Sequence, residues 1–347
     1  MNVQLELLQS VTPRRLHLIL LPTEACNFRC VYCYETFRLR RMAPGVVTGV
    51  KRLIARRAPT LDRLVVSWFG GEPLLALDVM EDVMDHVAAL RRAHPALVLA
   101  SDATTNASLL TQPVLERLVA RGVTDYQVTF DGPREFHDRK RVRPGGRPTF
   151  DRIWENLVAC RGSTAPFRIQ LRLHVDRENA GAVPEFLSEI QRVFGDDDRF
   201  EVFIRGLSRL GGPNDETLPI LEGAMRSTMI QDLRALAAAR GIRQAAVPAE
   251  PGVCYAARGN SFVIRADGRV NKCTVALDHP TNQVGRIEEN GDLRLRSEMI
   301  RPWMRGFGDG DRATLACPMH GLVEPVSEAQ GARTPRPTLA PAAEGAA

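Results

Sequence analysis

Lysine is almost missing from this 347-residue chain: Lys51, Lys140 and Lys272 are the only three among 46 basic side chains, and the rest are arginines. With alanine abundant as well, that bias has the look of codon composition rather than of a nucleic-acid-binding patch. No arginine cluster with interleaved aromatics supports such a patch, so the net charge of +5 is read as a solvated basic surface. Aromatics are also scarce, at 6%, so the core must rest on Leu, Val, Ile and Ala. No apolar run approaches the ~20 residues of a membrane span. The start, MNVQLELLQSVTPRR, lacks the basic and apolar regions of a signal peptide. These absences point to a soluble, cytoplasmic protein with neither membrane nor nucleic acid as partner.

What is present is a long α/β chain with seven cysteines, at 26, 30, 33, 160, 254, 273 and 317. An odd number would leave a free thiol in a secreted protein, and clustered cytosolic cysteines more often bind metal than form disulfides. Strand-like runs fall at 16–21, 64–69, 97–100, 126–130, 169–175 and 200–204. Helix-like periodicity fills 46–57, 76–92, 112–121, 150–161 and 183–194. Asp151 sits in an opening turn, and Gly122 and Gly195 stand where C-terminal cap glycines belong. Repeated βα units predict parallel strands, in an open partial barrel or a doubly wound sheet, with the chemistry at the C-terminal strand ends. There the motifs lie: cysteines after the first strand, Gly70-Gly71-Glu72-Pro73 after the second, Thr104-Thr105-Asn106 after the third, Asp131-Gly132-Pro133 after the fourth.

Beyond a Gly/Pro-rich loop at 206–217 and a helix near 225–240, residues 248–251 read as a linker. Phe262 to Cys273 reads as a hairpin turning at Asp267-Gly268, and the chain past about Ser327 as a disordered Ala/Pro/Gly-rich tail.

Cys26-x3-Cys30-x2-Cys33 can wrap one cubane, and three thiolates leave the fourth iron open to a cofactor. A structural zinc site is the alternative, but zinc usually takes four N/S ligands and no His lies nearby to complete it. This motif after the first strand of a repeated βα domain resembles the radical S-adenosylmethionine (SAM) enzymes. The resemblance implies a partial (β/α)6 TIM-type barrel with a SAM-binding [4Fe-4S] cluster on Cys26, Cys30 and Cys33. It implies reductive cleavage of SAM to a 5′-deoxyadenosyl radical, with electrons from a flavodoxin or ferredoxin. It places Tyr32 against the adenine. Gly70, Gly71 and Glu72 match the element that contacts the methionine amino group, and Glu72 is a suitable acceptor for an ammonium.

Asn106 and the residues around it resemble TNGxLL, with Ala107 in place of glycine. Thr129 to Asp151, including Asp131, His137, Asp138 and Arg141, resembles the SLDGP…HD…R…TFD stretch of sulfatase-maturating enzymes and relatives that modify ribosomal peptides. Thr129 and Arg141 join the cofactor-binding candidates. Plainer roles are open for several of these residues. His137 and Asp138 could cap the loop before the next helix, Arg141 could be a surface residue, and His174 could be core or support. Cys160 sits with Ile153 and Leu157 on an apolar helix face and reads as a packed thiol. No catalytic base is identified.

Cys254, Gly268 and Cys273 are spaced like the opening of the family's SPASM and twitch extensions, which carry auxiliary iron–sulfur clusters. With only Cys317 besides, three thiolates allow one auxiliary cluster at most. His320 stands where the last cysteine of a twitch domain would, and imidazole can ligate iron. A competing alignment over Thr314, Cys317, Val323 and Ser327 leaves the fourth position open. A domain that has lost its cluster is a further alternative. The expected organisation is a lead-in at 1–15, the barrel at 16–247, a twitch or degenerate SPASM domain at 248–326, and the tail at 327–347.

The expected substrate is a ribosomally made precursor peptide or protein, undergoing crosslinking, thioether formation, epimerisation or oxidation. The short lead-in suggests that a separate leader-recognition protein presents it. The alternatives are a twitch-type small-molecule dehydrogenase, for example of an aminosugar, and a non-catalytic iron–sulfur or zinc-binding module.

Overall fold

The computed structural model describes residues 3–246 and 252–322. The proposed linker and the tail lie outside the described residues, as do Val323 and Ser327. Six parallel strands form the heart of the fold: β1 (Arg15–Leu20), β2 (Arg63–Trp68), β3 (Val98–Thr105), β4 (Asp125–Phe130), β5 (Arg168–Val175) and β6 (Phe200–Gly206). Each pairs in parallel with the next. The connecting helices are α2 (Pro44–Arg57), α3 (Leu77–Ala93), α4 (Gln112–Val119), α5 (Arg134–Lys140), α6 (Phe150–Cys160) and α7 (Val183–Phe194), with α8 (Gly223–Ala239) after β6. This is the open partial barrel, not the doubly wound alternative.

Strand alternation explains the two faces. Leu16, Leu18, Leu20, Leu64, Val66, Trp68, Ile169, Leu171 and Leu173 bury themselves in the main hydrophobic core that the helices complete. The opposite face is polar and internally bonded. His17 Nε2 lies 3.0 Å from Ser67 Oγ, which donates to Asp102 at 2.7 Å. Gln127 donates to Gln170, and Gln170 to Glu201. On α6, Ile153, Leu157 and Cys160 are all fully buried, so Cys160 is the packed thiol expected.

The helices that escaped the sequence reading include α1 (Val3–Val11) inside the lead-in, α5, seven residues long, inside the fourth βα connection, and the short helices between residues 297 and 316. Gly122 has a positive φ of 92°, as a terminal cap glycine does. Gly195 instead continues in right-handed helical geometry, φ −65°. There a Cβ would stand 2.4 Å from the Gln191 carbonyl oxygen, so crowding accounts for that glycine.

The C-terminal segment extends the same sheet. Strand β7 (Ser261–Ile264) pairs in parallel with β1, and β8 (Arg269–Asn271), β9 (Gln283–Ile287) and β10 (Leu293–Leu295) follow antiparallel. The hairpin turns at Gly268, φ 87°, as the Asp-Gly pair predicts. Helices α9 (Ser297–Met304), α10 (Gly306–Asp309) and α11 (Arg312–Ala316) close the segment. Helix α1 braces it: Gly259 N donates to Ser10 O, and Asn260 Nδ2 to Gln9 O. Among the described residues, no helix is long and apolar enough to cross a membrane.

Candidate active site

The C-terminal strand ends open onto one cavity of about 400 Å³. Cys26, Cys30 and Cys33 line it, together with Tyr32, Gly70, Gly71, Asn106, Thr129 and Arg141. Tyr255, Thr274 and Val275 of the C-terminal segment form part of its wall. The residues that the sequence assigned to one site are therefore brought together, with one exception described below.

Local backbone chemistry builds the cysteine loop. Arg29–Cys30 makes a two-residue antiparallel ribbon with Arg141–Val142, which sets Arg141 opposite Cys30. Behind the loop, the paired glycines permit a close backbone approach. A Cβ on Gly70 would stand 2.4 Å from the Thr23 carbonyl oxygen, and one on Gly71 2.4 Å from that of Ala25. Glu72 N donates to Ala25 O at 2.9 Å. Gly70 also has a φ of 109°, open to glycine alone at little cost.

Glu72 is the exception. Its side chain is fully buried behind the cavity wall and accepts three hydrogen bonds, from Leu74 N at 3.0 Å, Thr105 Oγ1 at 2.7 Å and Asn106 N at 2.7 Å. Burial raises its carboxyl, and these donors oppose the shift. The expected free acceptor for an ammonium is thus a brace that locks the end of β3 to the glycine loop. Gly70 and Gly71 line the cavity, and Glu72 does not. Asn106 continues the brace: its Nδ2 donates to Asn27 Oδ1 at 2.8 Å and lies 4.0 Å from Cys26 Sγ.

A buried polar relay joins the fourth and fifth strands to the loop. Arg141 Nη1 donates to Tyr32 Oη at 2.8 Å, and Tyr32 Oη to Asp131 Oδ2 at 2.8 Å. Asp131 Oδ1 lies 3.4 Å from His174 Nδ1, and the His174 ring packs edge-on to Tyr32. Burial alone would raise the Asp131 carboxyl; His174 and Arg141 overcome it and hold it down at about 2. His174 is pushed down to about 4, chiefly by burial, and stays neutral at pH 7. Arg141 is no surface residue. Asp138 is the cap considered from sequence, accepting from Thr149 N and Phe150 N at the start of α6. His137 packs among aromatic rings, against Phe130 and Phe150.

The thiols fit an iron–sulfur cluster by donor chemistry and placement. Cys26 and Cys33 are pushed up to about 12, mostly by burial, with carboxylates and the neighbouring thiols adding to it. The positive charge of iron is what would draw such protons off. Among the described residues, no three His, Cys, Asp or Glu side chains close on a single metal ion. A cubane is wider than one ion and takes its thiolates from further apart.

Cys254, Cys273 and Cys317 form a second gathering, in which Cys254 and Cys273 are both raised by burial and by Cys317. Cys254 N donates to Leu315 O at 2.8 Å, which draws the first and last of them together. His320 is exposed on the turn after Cys317, where its backbone N–H donates to Cys317 O.

Sequence reading missed several cavity residues. Tyr34 and Tyr255 each follow a candidate ligand directly. Arg172 and Arg205 lie on β5 and β6, and Arg172 shares the inward face of β5 with His174, a period-two signal that could have exposed it.

Residues 20–189 match the Radical SAM superfamily. The AdoMet-dependent heme synthase of Methanosarcina barkeri is 31% identical over 42% of this chain and 39% of its own length. The PqqA peptide cyclase of Gluconobacter oxydans is 28% identical over 48% of this chain and 43% of its own. The chain thus matches about two fifths of the length of these curated relatives. Among solved structures, native anSMEcpe with bound AdoMet and Cp18Cys peptide superposes with a TM-score of 0.60 at 18% identity, over 83% of this chain and 79% of that one, a likeness of fold. Sequence match, strand order and the three-cysteine loop agree: residues 20–189 are a radical SAM domain.

Proposed function

We propose that this chain is a radical SAM enzyme that abstracts hydrogen from a ribosomally made precursor peptide or protein. The observation that carries the reading is the single cavity. It joins the three-thiol loop, the glycine backbone and the Tyr32–Asp131–Arg141 relay to a wall supplied by the cysteine-bearing C-terminal segment. A [4Fe-4S] cluster bound there would supply the electron that cleaves SAM to methionine and a 5′-deoxyadenosyl radical. Cys26, Cys30 and Cys33 would hold that cluster. Arg141 and Thr129 offer a guanidinium and a hydroxyl to the carboxylate end of SAM, Gly70 and Gly71 offer backbone to its amino group, and Tyr32 offers a ring face. Asp131 keeps Tyr32 and His174 in place. The electron donor would be a flavodoxin or ferredoxin.

Cys254, Cys273 and Cys317 would hold one auxiliary cluster. His320 is the proposed fourth donor, and its exposure means that the turn must rearrange to bring the imidazole in. The domain division at 247/248 and a separate leader-recognition protein belong to the same proposal. The peptide substrate is supported by the peptide cyclase relative and by a structural neighbour that holds a peptide.

Coexpression with the products of short reading frames flanking the gene tests the substrate class. Mass spectrometry is expected to find one peptide altered by the wild type and untouched by the Cys26/Cys30/Cys33→Ala variant. Unaltered peptides, with SAM cleavage stimulated by an aminosugar instead, would reject it.

A further inference from the structure

Two arginines on neighbouring strands face the cavity without a carboxylate partner among the described residues. Arg172 on β5 and Arg205 on β6 lie on inward positions, and the register sets Arg205 opposite His174. Arg172 is held from below. Its Nη1 donates to Gln127 Oε1 at 2.9 Å, Gln127 is fixed by Gln170, and Gln170 by Glu201. Its Nε is buried with no hydrogen-bond partner. Arg205 stands near Arg226 and Arg234, whose own guanidiniums are tied to the Gly206 and Ile204 carbonyls.

The acids nearby form no ion pair with either arginine. Glu35 is the one carboxylate lining the cavity, and its Oε2 is buried without a hydrogen-bond partner among the described residues. Asp131 is in electrostatic range of Arg172 but is taken up by Tyr32 and His174. Burial first, then mutual repulsion, pushes Arg172 down to about 10, and burial with neighbouring arginines lowers Arg205. Two guanidiniums drawn partly out of water without an anion are costly, and a bound carboxylate offsets that cost through charge-assisted hydrogen bonds. Arg141, opposite Cys30, already serves the cysteine side of the cavity. The β5–β6 side is what remains for a second molecule.

Resting on the peptide-modifying reading above, we propose that Arg172 and Arg205 bind a carboxylate of the substrate, an Asp or Glu side chain close to the residue that reacts. The pair selects acidic peptides and positions them across the cavity from the cysteine loop.

A displayed library of random peptides, panned on the reconstituted full chain with SAM present, tests this. Bound peptides are expected to be enriched in Asp and Glu. The Arg172→Gln/Arg205→Gln variant is expected to lose that enrichment about tenfold or more, the scale of one charge-assisted hydrogen bond, with SAM affinity unchanged. Arg205→Gln alone breaks no hydrogen bond among the described residues, so it remains informative if the double variant misfolds, and it is expected to lose part of the enrichment. A surface variant, Arg91→Gln/Arg92→Gln, is expected to keep the enrichment in full. Loss in that variant would mean that general charge does the selecting and would overturn the proposal. A fall in SAM affinity with peptide selection intact would assign the pair to the SAM carboxylate and overturn it too. Bound peptides with no acid bias overturn this inference alone, whereas a library that yields no bound peptide overturns the peptide reading and the inference with it.

Discussion

Single residues carry costs that the site explains. Ala107 sits in the left-handed region, φ 60°, where the related motif has glycine. Asn156 Nδ2 holds its carbonyl in place at 2.8 Å. Ala107→Gly should relieve the strain and raise stability by about 1 kcal/mol, read from urea unfolding; an unchanged midpoint would show that the buried methyl compensates. Asp102 is pushed up to about 6, mainly by burial, with Ser67 opposing. The native state therefore binds its proton more tightly than the unfolded chain does. The stability this proton brings is present below about pH 4 and is lost as pH rises through about 6. Asp102→Asn should stabilise the protein relative to wild type by up to about 2 kcal/mol at pH 7.5 and by little at pH 4.5. A difference independent of pH would contradict the assignment. Glu72 shows where motif reading stops. The residue type and position were legible, but the direction of its carboxylate depends on Thr105 and Asn106, which a linear motif cannot orient.

At the scale of elements, five of the six parallel strands were legible because each buries one apolar face beneath helices; β3 buries Ser101, Ala103 and Thr105 instead, so the reading at 97–100 caught only its first three residues. The polar inner face, from His17 to Glu201, was hidden between those apolar positions. Helix α1 was missed because its leucines do not share one buried face: Leu7 packs against the C-terminal segment, while Leu5 is 48% and Leu8 66% exposed. Helix α5, R-E-F-H-D-R-K, is too short and charged to show a period. The pairing of β7 with β1 had no sequence signal, since it joins segments some 240 residues apart.

That junction is secured by a buried ion pair. Arg265 Nε and Nη2 donate to Glu24 on the cysteine loop at 2.9 and 2.6 Å, and Nη1 to Asp278 at 2.8 Å. Removing one partner of a buried pair typically costs about 3–5 kcal/mol. Arg265→Ala should lower stability on that scale, and the Glu24→Gln/Arg265→Met double variant should recover part of it. A loss below about 1 kcal/mol, by chemical denaturation, would show that the sheet alone docks the segment.

Across the whole molecule, Cys26, Cys30 and Cys33 line one side of the cavity, and Tyr255, Thr274 and Val275, next in sequence to Cys254 and Cys273, complete its wall. Wild type reconstituted without oxygen should carry about eight irons, and the N-terminal triple variant about four. His320→Ala should shift the auxiliary reduction potential if the imidazole is a ligand. A triple variant free of iron would show that the C-terminal thiols hold no cluster.

Cys26, Cys30 and Cys33 are proposed to arm this cavity for SAM cleavage. The direct measurement is 5′-deoxyadenosine formed by anaerobically reconstituted protein given a reductant and SAM. Product is expected from the wild type and none from a folded Cys26/Cys30/Cys33→Ala variant; equal product from both would show that these cysteines do not drive the cleavage.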